Sequence, residues 1–420
     1  MQVFKFGGAS VKDAEAVRNV GSILARYEGQ PVLVVISAMG KMTNAFERLA
    51  EAYFHQTNEI AARYTDIKDF HQNIINGLLK GKDDRTFDDI DNLFLELDCL
   101  LETDKELNSS FDYIYDQIVC FGELLATRIV SAYLNENGQR NRWMDCRNFI
   151  FTDNNHREAR VDWEQTSELI SKKLLPIANK QLIITQGFIG RGQDLTTTTL
   201  GRDGSDYSAA IFAYGIDAES VTIWKDVAGV MNADPKRMPD AVMFDSLSFK
   251  ETIELAYYGA NVIHPKTIQP LLKKNIPLYV RSFFQADATG TVISNEGDDH
   301  NKPIFIFKPD QVLISLYTRD FSFIVEEHLS NIFKVFGNLN MRVNLMQNSA
   351  ISFSVCINHD PEKTQQIQEI LQEEFEVVCN SGVELISVKN YTKESIDSII
   401  NGREVLLEQR SRSMDQFVVK

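Results

Sequence analysis

The first predicted strand of this 420-residue chain contains a lysine near its end and is followed by two glycines. Lys5 lies in the apolar segment 3–6, and Gly7 and Gly8 follow it. Because glycines let backbone N–H groups approach an anion closely, and a lysine adds a compact positive charge, the arrangement suits a phosphate group. An ordinary strand–turn is the alternative. The sequence contains no GxxxxGK[ST], so it is not a P-loop enzyme, and the absence of GxGxxG after a strand disfavours a dinucleotide-dependent dehydrogenase.

A second candidate site is the segment 196–206, TTTTLGRDGSD. The pattern at 207–214 predicts a helix, so Ser205 and Asp206 would lie at its N-terminus. Unpaired N–H groups and the helix dipole favour an anion there, and Arg202 adds a positive charge. A plain N-cap formed by Ser205 or Asp206 is the alternative explanation.

Two further segments carry polar residues after predicted elements. WKDVAGV at 224–230 is followed by DPKR at 234–237, which indicates either a nucleotide-binding loop or a solvated one. GANVIHP at 259–265 contains His264, which has no second histidine at a ligand spacing. We therefore predict a hydrogen-bonded structural histidine and no metal site.

The elements that must position these residues follow a regular pattern. Apolar segments at 32–36, 182–185 and 221–224 are typical of buried parallel strands, and helical patterns separate them. Residues 45–130 have helical spacing throughout, which predicts a helical insertion that either packs a core or covers a substrate. After the polar linker 294–302, smaller units predict a βαββαβ module, and a less complete copy begins at Glu384.

Composition excludes several classes of protein. The chain is 44% hydrophobic and 24% charged, with a net charge of −16, which excludes a disordered, collagen-like or coiled-coil chain and argues against nucleic-acid binding. No apolar run approaches a membrane span, no signal peptide is visible, and the five cysteines form no CxxC pair. We expect reduced, buried thiols, no membrane association and a cytoplasmic location.

Five segments, in this order, resemble the amino-acid-kinase family and, within it, the aspartate kinases. They are KFGGAS at 5–10, TQGFIGR at 185–191, TTLGRDGSDYSAA at 198–210, WKDVAGV at 224–230 and ANVIHPKTI at 260–268. FGELL at 121–125 resembles the substrate-binding helix of those enzymes, and the C-terminal units resemble their paired ACT domains. The resemblance covers essentially the whole chain.

The resemblance implies an α/β fold: an amino-acid-kinase three-layer sandwich with a helical insertion, plus α+β ferredoxin-like ACT domains. It implies a catalytic domain at 1–297 and an ACT regulatory region at 303–420. The first ACT domain would span about 312–380, and a second, abbreviated one about 303–308 plus 383–420. The chain is much shorter than aspartate kinases that carry homoserine dehydrogenase, so we expect a monofunctional enzyme. By the same resemblance, we expect a homodimer or higher homo-oligomer through the ACT domains.

The implied reaction moves the γ-phosphoryl group of ATP to the side-chain carboxylate of L-aspartate. It gives 4-phospho-L-aspartate and ADP, the first step of lysine, threonine and methionine biosynthesis. A carboxylate with a pKa of about 3.9 is already ionised at neutral pH, so no general base is needed. Positioning and charge neutralisation are required instead, and Mg²⁺ would arrive with ATP and need few protein ligands.

The resemblance also implies roles for matching positions. Lys5 and Asp206 form the catalytic set, with Lys5 on the transferring phosphoryl group and Asp206 either holding Lys5 or lying near the metal and phosphates. Aspartate would be bound by Thr43, Glu123 and Arg202. The positions that match the ATP site are Gly7, Gly8, Ser10, Ser205, Lys225, Asp226, Met231, Lys236, Asn261 and Val262.

Four positions depart from the family pattern. Ala9 stands where Thr is usual, Asp203 where Gly is usual, and Asn261 where Lys is common. Lys236 replaces a frequent Arg. Each change could weaken phosphate binding by roughly 1 kcal/mol or more, but none removes the catalytic set, so we expect an active kinase.

Two other functions compete with this hypothesis. Another amino-acid kinase, acting on glutamate, acetylglutamate or UMP, would generally lack the helical insertion and the ACT pair. A catalytically decayed, amino-acid-binding regulatory protein would explain the departures at Ala9, Asp203 and Asn261. Turnover of ATP that depends on aspartate separates the kinase from both.

Lysine regulation is the first testable expectation. Lysine-sensitive relatives carry acidic residues at positions that correspond here to Asn344 and Ala350. Without those carboxylates a lysine ammonium loses its partners, so we expect weak or absent inhibition by lysine, with the ACT pair retained for dimerisation. Titration of kinase activity with lysine measures this, and near-complete inhibition at sub-millimolar lysine would contradict it.

Overall fold

The computed structural model describes residues 1–81, 84–102, 109–260, 263–298 and 301–420, and the chain divides into two compact units. The first unit comprises Met1–Val230, Met243–Ile253 and Val262–Asp299. The second comprises Met231–Val242, Glu254–Asn261 and His300–Lys420. Each unit is built on its own β-sheet.

The first unit contains an eight-stranded, mainly parallel sheet and a separate two-stranded hairpin. Its strands are β1 (Gln2–Phe6), β2 (Val32–Ile36), β3 (Asn141–Met144), β4 (Leu182–Gln186), β5 (Ile189–Arg191), β6 (Thr197–Thr199), β7 (Ser220–Lys225), β8 (Ser246–Ser248), β9 (Leu278–Ser282) and β10 (Thr291–Ser294). The sheet order is β3-β4-β2-β1-β7-β9-β10-β8, and β5 pairs with β6 in the hairpin. All five residues of β2 are buried, as expected for a central parallel strand covered by helices.

Ten α-helices accompany these strands among the residues that the structure describes up to Lys274. They are α1 (Ala14–Ala25), α2 (Met42–Phe54), α3 (Ile60–Leu78), α4 (Asp84–Glu102), α5 (Phe111–Glu136), α6 (Trp163–Leu169), α7 (Leu175–Ala178), α8 (Gly204–Gly215), α9 (Phe249–Tyr258) and α10 (Pro265–Lys274). Helix α8 packs on β1, β2 and β7, and α5 packs on β2, β3 and β4. The fold class is the predicted α/β sandwich with a helical insertion, in which α2, α3 and α4 pack on α5.

Helix α5 is the long central helix of the insertion. It is 26 residues long, and an 18-residue window reaches a mean hydropathy of 1.3, which is long and apolar enough to cross a membrane by these criteria alone. However, 83% of that window is buried inside the protein, as is typical of a core helix. Only shorter apolar runs stood out in the sequence because polar residues such as Asp116 and Glu123 interrupt this one.

The second unit contains a six-stranded antiparallel sheet with the ferredoxin-like α+β pattern of ACT domains. Its elements are β11 (Ile304–Thr318), α11 (Glu326–Asn338), β12 (Val343–Asn348), β13 (Ser352–Asn358), α12 (Pro361–Leu371), β14 (Phe375–Lys389), α13 (Lys393–Ile400), β15 (Val405–Arg410) and β16 (Met414–Val419). The sheet order is β12-β13-β11-β14-β16-β15. One apolar core includes Ile332 and Phe375, and a second includes Ile396 and Phe417.

Two details of the sequence-based prediction need correction. The segments 303–308 and 312–380, which we expected in different ACT domains, share one 15-residue strand, β11, and β14 likewise runs from the expected first ACT domain into the second. Residues 405–419 form a hairpin, in which residues 411–413 turn the chain between β15 and β16. Of the five cysteines, Cys99 is exposed and Cys379 partly buried, so only three are the buried thiols we expected.

His71 generates a testable prediction about stability. It is fully buried in α3 beside the rings of Phe46, Phe70 and Phe94, and burial lowers its pKa to about 4 from the usual 6.5. Between these values the unfolded chain binds a proton that the folded chain does not. The free energy of unfolding should therefore fall by about 3 kcal/mol as the pH drops from 6.5 to 4.

Urea denaturation of the wild type and of His71→Leu, followed by circular dichroism at pH 7 and at pH 4.5, measures this contribution. The variant lacks the titrating group and should lose less stability between the two pH values. An equal pH dependence in both proteins would contradict the assignment.

Candidate active site

Two lysines and an aspartate meet at the carboxyl ends of neighbouring strands. Lys5 lies on β1 and pairs in register with Val35 on β2 and Ile223 on β7. Its Nζ is 2.6 Å from Oδ1 of Asp206, which lies in the first turn of α8. Lys225, the last residue of β7, places its Nζ 3.9 Å from the other carboxylate oxygen of Asp206.

The charges in this cluster support one another. Lys5 and Asp206 are both buried, with side chains 11% and 7% exposed. Burial alone would raise the pKa of Asp206, but Lys5 and Lys225 hold it below its ordinary value. Asp206 is therefore an ionised carboxylate facing two ammonium groups. The net positive charge of this cluster suits an anionic ligand.

The two positions after β1 favour glycine for different structural reasons. A Cβ on Gly8 would lie 2.6 Å from the carbonyl oxygen of Gly40, so this position has no room for a side chain. A Cβ on Gly7 would lie 3.4 Å from Nζ of Lys5 and would occupy the space beside the ammonium group. Gly7 thus keeps the surroundings of Lys5 open, while Gly8 allows close packing against the loop after β2.

The two serines proposed for phosphate binding are both buried. The amide of Ser10 donates to the carbonyl oxygen of Gly7 at 2.9 Å and closes a short turn, so this N–H group is already used. Ser205 lies at the start of α8, where a Cβ on Gly187 would come within 2.6 Å of it. The absence of a side chain at Gly187 lets the helix start approach the end of β4.

Glu123 is a buried carboxyl group on α5. Its Oε1 accepts a hydrogen bond of 3.1 Å from the amide of Ala38, after β2. Its Oε2 is buried and has no hydrogen-bond partner among the residues that the structure describes. Burial raises the pKa of Glu123 to about 8, although Ala38 and Lys5 oppose the shift. An incoming cation would supply the missing partner and favour the ionised form.

The other two residues expected at aspartate are more exposed than this buried cluster. Thr43 is half-buried in the first turn of α2. The side chain of Arg202 is 80% exposed, and its Nε lies 3.8 Å from Oδ2 of Asp203. Asp203 has a φ of +55°, in the left-handed region that favours glycine, and aspartate is one of the few other residues that tolerate it.

The remaining predicted ATP positions are distributed along the chain. Asp226 is exposed directly after β7. Met231 and Lys236 belong to the second unit, where the amide of Lys236 donates to Oδ1 of Asp234 at 2.9 Å. Asn261 and Val262 lie outside the described residues.

His264 has a structural role at the start of α10. Nδ1 of His264 accepts a hydrogen bond of 3.1 Å from the amide of Lys266 and caps α10, which confirms the predicted structural role. Among the described residues, no group of three His, Cys, Asp or Glu side chains could hold a metal ion. A divalent ion that accompanied a phosphate ligand would have to take most of its ligands from that ligand and from water.

Sequence analysis missed one buried polar residue beside the site. Asp116 lies on α5, two turns before Glu123, and its side chain is completely buried. Asp116 in a largely apolar stretch of the helix was the available signal, but a solvent-facing position explains such a residue equally well until its neighbours are known.

The ionisation of Glu123 can be tested through stability. Between pH 4.5 and 8 the unfolded chain carries an ionised Glu123, whereas the folded chain carries a protonated one. Unfolding then releases a proton and becomes easier as the pH rises, by about 4 to 5 kcal/mol over this range. Glu123→Gln has no titrating carboxyl group at this position and therefore lacks this pH-dependent contribution to the free energy of unfolding.

Denaturation midpoints of the wild type and of Glu123→Gln at pH 5 and pH 8 measure the contribution of Glu123 to the pH dependence of stability. The variant should gain stability relative to the wild type as the pH rises. Because His71 has the opposite pH dependence below pH 6.5 and is present in both proteins, the difference between them isolates Glu123. A constant difference would contradict the raised pKa.

Comparison with known proteins agrees with this architecture. The model of the amino acid kinase family matches residues 1–282. The lysine-sensitive aspartokinase 3 of Escherichia coli is 32% identical over 359 residues, covering 85% of this chain and 78% of the relative. A chloroplastic bifunctional aspartokinase/homoserine dehydrogenase 1 of Zea mays is 33% identical over 305 residues, but this chain spans only 33% of its length.

Among solved structures, E. coli aspartokinase III in complex with aspartate and ADP superposes with a TM-score of 0.83. The match has 27% sequence identity and covers 100% of this chain and 96% of that one. The family model covers the sheet and helices that carry Lys5, Glu123 and Asp206, and the relative and the solved structure extend the likeness into the second unit. The chain therefore belongs to the amino acid kinase family and, within it, to the aspartokinases.

Proposed function

We propose that the protein is an aspartate kinase, which transfers the γ-phosphoryl group of ATP to the side-chain carboxylate of L-aspartate. The observation that carries the proposal is the buried cluster of Lys5, Asp206 and Lys225 beside the glycine turn that follows β1. Two cations and one anion leave a net positive charge where two anionic substrates must meet. Phosphoryl transfer needs positioning and charge neutralisation of this kind rather than a base.

In this proposal Lys5 contacts the transferring phosphoryl group and stabilises the charge on its oxygens. Asp206 holds the Lys5 ammonium group in place through the 2.6 Å ion pair, and the N–H groups of the glycine turn bind phosphate oxygens. Motif matches assign the rest of the ATP site. These positions are Ser10, Ser205, Lys225, Asp226, Met231, Lys236, Asn261 and Val262.

Glu123, Arg202 and Thr43 are proposed to bind aspartate. The partnerless Oε2 of Glu123 suits the α-ammonium group, which would replace the missing hydrogen bond and ionise the carboxyl group. The guanidinium of Arg202 suits the α-carboxylate, but it must leave Asp203 and turn towards the substrate. Thr43 would donate its hydroxyl group.

Magnesium is proposed to enter with ATP, and it neutralises charge on the phosphates when bound. Asp206 is the carboxylate of the cluster that could contact it, directly or through water, and the phosphates and water would supply the other ligands. The chain's own residues orient the two substrates and balance their charges.

We further propose a division into a catalytic region at 1–297 and an ACT region at 303–420, a homodimer or higher homo-oligomer formed through the ACT region, and a cytoplasmic location. Weak lysine inhibition remains part of the proposal. Asn344 is neutral, accepts a 3.0 Å hydrogen bond from Nζ of Lys308, and donates at 2.8 Å to both Gln311 and Asn358. Its amide atoms are thus already bonded within the chain.

The test is formation of the acyl phosphate, trapped with hydroxylamine, from Mg-ATP and L-aspartate. Wild type should give hydroxamate only with aspartate present. Lys5→Ala should lose at least roughly a hundredfold in kcat, because a preorganised charge at the transferring group is removed. Lys12→Ala is a matched control, since Lys12 is a nearby lysine whose side chain is 58% exposed.

Equal loss in both variants, or none in Lys5→Ala, would contradict the role of Lys5. A folded wild type that makes no product from aspartate or glutamate would contradict the kinase. Binding of an amino acid without turnover would then favour a regulatory protein.

A further inference from the structure

The Asp116 carboxylate connects three segments of the first unit. It receives hydrogen bonds from the hydroxyl of Thr199 at 2.7 Å and the amide of Thr199 at 3.0 Å. The amide of Arg157 donates at 3.0 Å, and Nδ1 of His156 at 2.9 Å. Asp116 itself is 0% exposed on α5, so α5, the loop around residue 157 and strand β6 meet at one buried anion.

All four groups around Asp116 can donate to an ionised carboxylate, and the backbone amides of Thr199 and Arg157 can do nothing else. A buried carboxylate is costly unless hydrogen bonds or charges satisfy it, and here four donors surround its two oxygens. An asparagine could still accept from the backbone amides of Thr199 and Arg157 through its single oxygen, but it would lose the negative charge that strengthens all four hydrogen bonds. The four contacts therefore favour an ionised carboxylate at this position, although burial raises the pKa of Asp116.

The segment that starts at Thr199 leads directly to the candidate site. Thr199 ends β6, and the next seven residues contain Arg202, Ser205 and Asp206. The amide of Ala159 donates to the carbonyl oxygen of Thr199 at 2.9 Å and adds a second anchor at this point. At its far end the segment is held by the ion pair of Asp206 with Lys5.

The segment 200–206 also contacts the loop around residue 157. Gly201 has a φ of +78°, and a Cβ there would lie 3.2 Å from the carbonyl oxygen of Arg157. Arg157 itself has a φ of +67°, unusual for a residue with a side chain, and its amide donates to Asp116. The backbone of the segment at residue 201 therefore packs against the loop whose amide is hydrogen-bonded to Asp116.

Helix α5 also carries Glu123, seven residues after Asp116. Seven residues are two helical turns, so both side chains lie on nearly the same side of α5, roughly 10 Å apart along its axis. One rigid helix thus holds the candidate ammonium-binding carboxyl group and the anchor of the segment with Arg202 and Asp206. The spacing between these groups is set by α5 rather than by a flexible loop.

We propose that Asp116 is a positioning residue for phosphoryl transfer, which acts through Thr199 to align the segment 200–206 with Glu123 on the same helix. The proposal rests on the proposed kinase function for its catalytic consequence. Its structural consequence is independent of that function: the contact between Asp116 and Thr199 orders residues 200–206.

The experiment compares Thr199→Val, Thr199→Ser and Asp116→Asn with wild type in the full chain. Valine has the shape of threonine without the hydroxyl donor, and serine keeps the donor. Thr199→Val and Asp116→Asn should lower kcat roughly 10- to 100-fold with the KM for ATP within about twofold, and Thr199→Ser should stay near wild type. If Asp116→Asn does not fold, the two Thr199 variants suffice.

Hydrogen–deuterium exchange gives a readout independent of activity. In Thr199→Val, amides of a peptide covering 200–206 should exchange at least about tenfold faster, while those of β1, β2 and β7 keep their wild-type rates. Unchanged exchange at 200–206, general acceleration across the sheet, or local acceleration without a fall in kcat would each overturn the proposal. An inactive wild type would refute the kinase function instead, and the exchange result would still decide the anchoring.

Discussion

The buried ion pair between Lys5 and Asp206 is the interaction on which the candidate site depends. Two charges removed from water are tolerated only when they are close and paired, and here the two atoms are 2.6 Å apart. The pair joins the end of β1 to the first turn of α8, two elements that lie far apart in the sequence. Because β1 lies between β2 and β7, the sheet fixes the lysine before any ligand is bound.

The overall charge of −16 makes this local arrangement necessary. An acidic protein repels the anions that the proposed kinase must bind, so the electrostatic potential has to be positive at the site itself. Lys5 and Lys225 come from strands paired in the sheet, and one carboxylate faces both. The site therefore keeps a net positive charge, and Gly7 leaves room beside the Lys5 ammonium group.

Helix α5 is the second support of the site. It is buried along most of its length, which gives it little freedom to shift, and its few polar side chains point to specific partners. Glu123 contacts the loop after β2, and Asp116 contacts the end of β6. Both carboxyl groups are costly to bury, and their positions on one rigid helix relate the two sides of the candidate aspartate site.

The second unit follows a different principle. Strands β11 and β14 are each 15 residues long and pair along most of their length, so two ACT-like halves share one sheet. Pairing is not regular along β11, because its register with β14 shifts between Lys308 and Gln311, and Asp310 between them has a φ of +56°. This irregularity separates the two halves, and the backbone hydrogen bonds on either side of it join them in one sheet.

The sequence by itself determined the fold class, the central strands and the identity of the charged residues beside the glycine turn. Continuous apolar segments such as 32–36 indicate buried parallel strands whatever surrounds them. Tertiary structure alone decided the surroundings of each polar side chain. Asp116 meets Thr199 across 83 residues, and Arg202 lies exposed beside Asp203. Local pattern cannot predict such contacts, because burial and hydrogen bonding depend on residues that are distant in sequence and close only after folding.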